Sequence, residues 1–299
     1  MPCADPPIPY LERIREYYLA LGYGAPYAWP RFADVPLKRL AAPLAQCRVA
    51  LITTAAPYQP GKGDQGPGAP YNALAKFYSV YSGDAAGEPD LRISHVAIDR
   101  THTRAEDIGS YFPLRALRDC AARGRIGEVA PRFHGLPTNR SQRTTLDVDA
   151  PEVVGRCKAD GAHAAVLVAN CPVCHQSVAL TARLLEASGI ASVVMGCARD
   201  IVEHIGVPRY VFSDFPLGNA GGKPGDAQSQ ADTLELALAL LESAEQARCT
   251  VTSPQIWAAT STWKLDYCNA ARLSPEELQR RRAEFDAGKV QAKDLRDSA

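Results

Sequence analysis

The sequence predicts an α/β protein in which mostly parallel strands carry helices on both faces. Apolar strand-like runs alternate with helical segments between residues 151 and 246, which is the pattern of a parallel sheet. Glycine ends several of the helical segments, as at Gly161 and Gly189. The 299 residues suffice for two lobes of about 150 residues each. We therefore expect two Rossmann-like lobes with a cleft between them and a peripheral helical tail, over the ranges 1–150, 151–255 and 256–299.

The N-terminal lobe is predicted to begin with a helical preface and to continue with two strands. Apolar residues at helical spacing predict a helix over 10–21. The β-branched run 48–54 predicts a buried strand, and it leads into the loop 55–70, which contains four glycines and four prolines. A second strand is predicted over 91–98 and an amphipathic helix over 113–123.

The C-terminal lobe is predicted as a regular succession of helices and strands. The helical segments are 151–160, 171–188, 198–205 and 226–246, and the strands between them are 164–169, 190–195 and 209–212. In the tail, Ser274 is a good N-cap, Pro275 suits the first helical position, and two glutamates follow. A helix is therefore expected there, either peripheral or in contact with a partner.

The composition excludes several classes of function. The 33 basic residues are balanced by 33 acidic ones, so the chain lacks the basic surplus of a nucleic-acid binder. No apolar run approaches the roughly 18 residues of a membrane span, and the N-terminus does not resemble a signal peptide. We expect a cytoplasmic protein that acts on a small molecule and associates with neither membrane nor nucleic acid.

The cysteines indicate redox chemistry at one place only. Nine cysteines are too few for a disulfide scaffold, and their number is odd. Only Cys171 and Cys174 are close enough in sequence to cooperate. Five cysteines stand alone in helical or strand-like patterns and are expected to be inert: Cys47, Cys120, Cys157, Cys249 and Cys268.

The segment around Cys171 carries the clearest chemistry. It follows a predicted strand and opens a predicted helix, where unpaired amides and the helix dipole favour a thiolate. Cys174 lies one turn deeper and can close a disulfide with Cys171, so that one sulfur attacks and the other resolves the adduct. His175 can tune either sulfur or deliver a proton. We predict a redox-active pair with Cys171, Cys174 and His175 as catalytic residues.

A metal site is the competing interpretation. Cys171, Cys174 and His175 could form a zinc site with His163 or Cys197. No second C-x-x-C completes such a site, and Cys174 and His175 are adjacent in sequence, which makes joint ligation awkward. The redox interpretation is preferred, with no bound metal expected.

Polar residues at predicted strand ends are the candidates for substrate binding. They are His95, Asp99, Thr101 and His102 after the second strand, Lys62 and Gln65 in the glycine- and proline-rich loop, and Asn219 in a later loop. Neither glycine-rich loop has the spacing of a phosphate-binding or dinucleotide-binding motif. We therefore expect no tightly bound cofactor.

Three blocks of sequence between residues 93 and 241 point to a family. The first is Ser-His-Val-Ala-Ile-Asp-Arg-Thr (94–101), followed by Tyr-Phe-Pro-Leu-Arg (111–115) and Gly-Arg-Ile-Gly-Glu-Val-Ala (124–130). The second is Cys-Pro-Val-Cys (171–174), and the third is Gly-Val-Pro-Arg (206–209) with Phe-Pro-Leu-Gly-Asn (215–219) and Gln228. In this order, over about half of the chain, they resemble the selenoprotein B family of glycine, sarcosine, betaine and D-proline reductases.

The resemblance implies a function and a role for each sulfur. It places Cys171 at the family's selenocysteine position and Cys174 at the resolving position. It implies reductive cleavage of a carbon–nitrogen bond, an external dithiol reductant of the thioredoxin kind and, in such complexes, a separate pyruvoyl subunit. Cysteine is a weaker nucleophile than selenocysteine, so a more activated carbon–nitrogen, carbon–sulfur or thione centre is also expected.

Two hypotheses follow from the sequence. In the first, the chain is a thiol-dependent reductase for a small polar, amino-acid-derived substrate, with a thiol reductant protein as partner and a homo-oligomer as a further option. In the second, it is a non-catalytic metal- or thiol-binding module or a subunit of a larger reductase complex.

Overall fold

A computed structural model describes residues 5–138 and 140–297. The strands are β1 Arg48–Thr53, β2 Ala56–Pro57, β3 Tyr81–Asp84, β4 Leu91–Arg92, β5 Glu128–Val129, β6 Arg132–Gly135, β7 Ala164–Val168, β8 Ala191–Gly196, β9 Arg209–Phe212 and β10 Cys249–Thr252. The helices are α1 Tyr10–Ala20, α2 Leu114–Ala122, α3 Gln142–Thr144, α4 Ala150–Ala159, α5 Pro172–Ala187, α6 Arg199–Ile205, α7 Ala227–Ser243 and α8 Pro275–Asp297. A π-helical turn, Thr145–Asp149, joins α3 to α4.

The predicted α/β class is confirmed by one large sheet. Its strand order is β10-β9-β8-β7-β1-β6-β3, and β5 pairs with β1 beside β6. All these strands are parallel to their neighbours except β3, which is antiparallel to β6. Every residue of β7 and β8 is buried, as expected for strands covered by helices.

Strands from both predicted lobes lie in this sheet. Strand β1 pairs with β7 over five residues, so the first strand of the N-terminal half lies in the middle of the sheet. The predicted cleft between two lobes with separate sheets is not confirmed, because β1 satisfies its backbone groups by pairing with β7 on one side and with β5 and β6 on the other. The division of the chain at residues 150 and 255 stays a prediction.

Helices flank the sheet, and most follow the predicted bounds to within a few residues. Helices α5 and α7 both pack on β8, α4 and α6 lie beside α5, and α2 lies beside α7. Among the described residues, no helix is both long enough and apolar enough to cross a bilayer.

The strand predicted over 91–98 is wrong beyond its first two residues. Only β4, Leu91–Arg92, is extended and paired, in a two-stranded antiparallel sheet with β2. The rest is an irregular segment tied to the body of the protein through the backbone N–H of Asp99, which donates to the Leu217 carbonyl at 3.1 Å. The alternating apolar residues of this segment therefore belong to an irregular loop and not to a strand.

Close packing between β3 and β6 depends on two glycines. A Cβ on Gly135 would lie 1.7 Å from the ring of Tyr81, and a Cβ on Gly83 would lie 2.3 Å from the ring of Phe133. The two aromatic rings therefore occupy the space that side chains at these positions would need, which fixes the antiparallel edge of the sheet.

Candidate functional site

The site lies at the carboxyl ends of the central strands, where α5 begins. Cys171 is the N-cap of α5, and its sulfur accepts a hydrogen bond from the backbone N–H of Cys174 at 3.2 Å. Pro172 occupies the first helical position, which needs no donor. Cys174 is fully buried one turn into the helix, while Cys171 keeps a small exposed fraction of 5%. The two thiols are therefore stacked, with Cys171 on the outside.

His95 joins the two thiols from the irregular segment after β4. One ligand atom of His95 and the two sulfurs all lie within 4.8 Å of one another, and all three residues are buried. The Nδ1 atom of His95 is buried without a hydrogen-bond partner among the described residues. Sequence reasoning placed His95 among the substrate-binding residues, and the structure places it beside the sulfurs.

The surroundings of Cys171 and Cys174 favour a state in which the two sulfurs share one proton. Burial raises the pKa of the Cys171 thiol, and the adjacent Cys174 sulfur raises it further. Burial also acts to raise the pKa of Cys174, but hydrogen bonds from Cys171, His95 and Thr54, with the charge of His95, hold it well below its usual value. These shifts favour the negative charge on Cys174 and the proton on Cys171. The sequence had placed the thiolate on Cys171, because it could not reveal the donors around Cys174.

Two supporting residues were missed by sequence reasoning. Asn170 Nδ2 donates to Thr54 Oγ1 at 3.1 Å, and both side chains are fully buried. Thr54 comes directly after β1, Asn170 lies two residues after the end of β7, and these strands are neighbours in the sheet. The sequence does show polar residues at the ends of two buried strands. Placing these residues side by side requires knowing that β1 and β7 pair.

Both ring nitrogens of His175 are hydrogen-bonded to backbone groups. Its Nδ1 lies 2.7 Å from the Cys171 carbonyl, while its Nε2 accepts hydrogen bonds from the N–H groups of Cys197 and Ala198 at 2.9 and 3.1 Å. Burial lowers the pKa of His175 to about 4. The ring is therefore neutral near pH 7 and has no free nitrogen, so the geometry does not support the predicted proton transfer by His175. Gly196 makes room for it, since a Cβ there would lie 2.5 Å from Nε2.

A cavity of about 200 Å³ leads to Cys171. Cys171 contributes to its wall with Ser94 and His95, whereas Cys174 does not. The C-terminal tail also lines it, through Tyr267, Cys268 and Phe285. Phe285 of α8 packs edge-on against Tyr18 of α1 with ring centroids 5.4 Å apart, so this helix closes one side of the cavity.

Asp99, Thr101 and His102 do not line this cavity. The carboxylate of Asp99 lies 3.0 Å from His102 Nδ1, and the other ring nitrogen of His102 lies 3.1 Å from Asp266. Burial raises the pKa of Asp99. This network braces the segment that carries His95, whereas Thr101 is exposed to solvent.

The remaining predicted binding residues also lie outside the cavity wall. Gln65 is buried and bonds within its own loop, to the backbone of Gln59 and Gly63, while Lys62 is exposed. Asn219 is fully buried, accepts from Thr103 and donates to the Pro216 carbonyl. Gln65 and Asn219 hold loops in place, because their side-chain polar atoms are already paired within the protein.

Within the described part of the chain, the cluster that could hold a metal ion is formed by His95, Cys171 and Cys174. An imidazole and two thiols suit a soft ion such as zinc, and their spacing requires only small movements for joint ligation. This differs from the set expected from the sequence. His175 faces the backbone, and His163 Nδ1 accepts from the N–H of Arg48 at the opposite end of the strand pair.

Two curated relatives resemble the chain. It is 29% identical over 184 residues to D-proline reductase subunit gamma of Acetoanaerobium sticklandii, a match that covers 61% of this chain and 73% of the relative. This likeness agrees with the resemblance to the selenoprotein B-like family that the sequence blocks predicted. It is also 22% identical over 210 residues to the glycine reductase complex component B subunit gamma of Symbiobacterium thermophilum, over 69% of this chain and 48% of the relative. The match therefore spans about half the length of this second relative.

The other comparisons add no likeness. No protein-family model matches the chain. No solved structure matches it either. The likeness to this family therefore depends on the two gamma subunits.

Proposed function

We propose that the chain is a reductase subunit that uses Cys171 and Cys174 as a two-electron dithiol. The observation that carries the proposal is the stacked pair of sulfurs at the start of α5, with the outer sulfur in the wall of a cavity and the inner one behind it. Both relatives are named as reductase subunits. An oxidoreductase that works within a complex is consistent with those names.

The proposed reaction begins with the shared proton. The proton on Cys171 moves to Cys174, so that Cys171 becomes a thiolate facing the cavity. It attacks a carbon that carries a nitrogen or sulfur substituent next to a carbonyl group. A carbon–sulfur bond forms, the bond to the substituent breaks, and the departing group takes the proton from Cys174.

The second step makes the disulfide. The Cys174 thiolate attacks the Cys171 sulfur, the new carbon–sulfur bond breaks, and the carbon leaves with its electron pair as an enolate that takes up a proton. In sum, one thiol, one thiolate, the substrate and one proton from His95 or water give a disulfide, a carbon–hydrogen bond and the protonated leaving group. An external dithiol then reduces the disulfide and resets the pair.

His95 and His175 have separate roles in this proposal. His95 lies beside both sulfurs, and its Nδ1 has no hydrogen-bond partner in the described part of the chain, so in this proposal it supplies a proton to the departing group or to the enolate. His175 acts as a positioning residue, because it ties the Cys171 carbonyl to the backbone after β8.

The test uses phenacyl chloride as a model substrate and the fully reduced protein without added thiol. The unmodified protein should release acetophenone and acquire a Cys171–Cys174 disulfide. Cys174→Ser should stop at the S-phenacyl adduct on Cys171, and Cys171→Ser should release no acetophenone. Cys268→Ser removes a thiol that lines the same cavity, so it should behave like the unmodified protein. Acetophenone release by Cys171→Ser, or none by the unmodified protein, would overturn the proposal.

A second candidate function is metal binding, favoured by the cluster of His95 with the two cysteines. Stoichiometric zinc that survives dialysis and disappears in both Cys171→Ser and Cys174→Ser would support it. In that case the sulfurs would be protected from alkylation, and the model reaction would fail.

A further inference from the structure

Among the residues that the structure describes, the Lys and Arg side chains that line the cavity beside Cys171 have no acidic counterpart in its wall. Lys76 and Arg140 contribute to its wall, and no aspartate or glutamate does so among the described residues. The charge of Lys76 reaches Cys171, where it acts to lower the pKa of the thiol against the stronger effect of burial. The cavity therefore offers an anion two countercharges near the reacting sulfur.

The wall is also rich in flat side chains. Its aromatic residues are Tyr18, Tyr27, Trp29, Tyr71, Tyr267 and Phe285. The guanidinium of Arg140 lies over the rings of Tyr18 and Tyr27, at 4.6 and 5.5 Å from their centroids. Such stacking orients a guanidinium while leaving donors at its edge for a carboxylate.

The same wall disfavours a free ammonium group. A zwitterionic amino acid would bring a positive charge into a cavity that has cations and no carboxylate among its described lining residues. Desolvating that ammonium without a partner is unfavourable. The volume of about 200 Å³ also holds more than a two-carbon acid.

We propose that the substrate of this site is an anion with a flat body, namely a carboxylate attached to an unsaturated ring. Lys76 and Arg140 balance the carboxylate, the aromatic residues enclose the ring, and the reacting carbon faces Cys171. The inference depends on the proposed function for the reaction itself, and it adds the class of molecule that enters.

The test compares two alkylating reagents that differ in charge and little in size. Iodoacetate is anionic and iodoacetamide is neutral. Rates of modification at Cys171 are read by peptide mass spectrometry and divided by the rates for glutathione under the same conditions. We expect the normalised preference for iodoacetate to be at least tenfold and to shrink as salt concentration rises. A preference no greater than that of glutathione overturns the proposal.

Variants show whether the two named cations are responsible. Lys76→Met and Arg140→Gln should each reduce the preference severalfold, and Arg140→Glu should reverse it. The matched controls, Lys62→Met and Arg143→Gln, change exposed residues outside the cavity wall and should keep it. An unchanged rate with iodoacetamide shows that a variant is folded. A preference that survives both cavity variants overturns the assignment.

Protection experiments address the body of the ligand. Benzoate should slow alkylation of Cys171 by iodoacetamide, whereas glycine and benzyl alcohol at the same concentration should not. Equal protection by glycine or benzyl alcohol overturns the inferred class. These outcomes are separate from the proposed function, because release of acetophenone and formation of the disulfide do not depend on a charged ligand.

Discussion

Replacing His175 by glutamine tests whether this ring holds the site in place as a neutral group. Burial lowers the pKa of His175 to about 4, against an ordinary value of 6.5. At pH 7 the ring is neutral in the folded and the unfolded chain, so its full contribution to stability is present. As the pH falls below 6.5, the unfolded chain takes up a proton that the folded protein refuses, and stability is lost.

The size of the effect follows from this difference in pKa. Between pH 7 and pH 5 the unfolded histidine becomes almost fully protonated, while the folded one stays mostly neutral. The loss of unfolding free energy due to His175 is about 2 kcal/mol over this interval. Glutamine does not titrate, so His175→Gln should lack this part of the pH dependence. At pH 7 the variant should be less stable by about 1–3 kcal/mol, because a buried backbone partner loses its hydrogen bond.

The assay is urea unfolding at pH 7 and pH 5, with reductant, for the unmodified protein and the variant. Burial raises the pKa of Asp99 and, to about 6, that of Asp200, which opposes acid destabilisation, but both residues are present in both proteins and cancel in the difference. Identical changes in stability from pH 7 to pH 5 would refute the neutral, positioning role of His175. A limb in the pH–rate profile between pH 5 and pH 8 that vanishes in the variant would refute it as well.

Three further predictions concern packing and the site. Arg209→Met should lower the unfolding free energy by about 3–5 kcal/mol in urea unfolding, because the fully buried Glu186 carboxylate, 2.8 Å from the guanidinium, loses its countercharge. Arg199→Met removes one partner of an exposed ion pair and should change the unfolding free energy by less than about 0.5 kcal/mol. Equal losses in the two variants would contradict the account. Gly135→Ala should lower the melting temperature strongly, because the new Cβ would clash with the ring of Tyr81. Gly155→Ala places a Cβ in open space on a helix and should stabilise the protein by about 0.5–1 kcal/mol. Similar melting temperatures for the two variants would show that the Tyr81 ring moves aside. His95→Phe should raise the pH at which thiolate absorbance appears, because the Cys174 sulfur loses a hydrogen bond that lowers its pKa. An unchanged titration curve would contradict a contribution of His95 to the sulfur environment.

The fold was predictable from sequence where patterns are long and punctuated. Strands β7, β8 and β9 and the helices between them follow the predicted bounds within one or two residues, because buried apolar runs and terminal glycines mark them. The short strands β3, β5 and β6 were not predicted. Each has four residues or fewer and carries polar side chains, so its pairing depends on the neighbouring strand and not on its own sequence.

The site was predictable where it is local in sequence. Cys171 and Cys174 are three residues apart at a strand-to-helix junction, and the structure brings their sulfurs together. The proximity of His95 to them depends on an irregular loop that local patterns read as a strand. Lys76 and Arg140 approach the cavity from distant parts of the chain, and no periodicity in the sequence connects them with the sulfurs.

The most direct test of the central claim is mass spectrometry of the protein before and after mild oxidation, with alkylation of free thiols and metal analysis of the same sample. The account predicts that the reduced protein holds no zinc, and that oxidation removes two hydrogens and links Cys171 to Cys174. It also predicts that an external dithiol restores both thiols. Tightly bound zinc with both sulfurs protected, or a disulfide that joins other cysteines while this pair stays reduced, would contradict it.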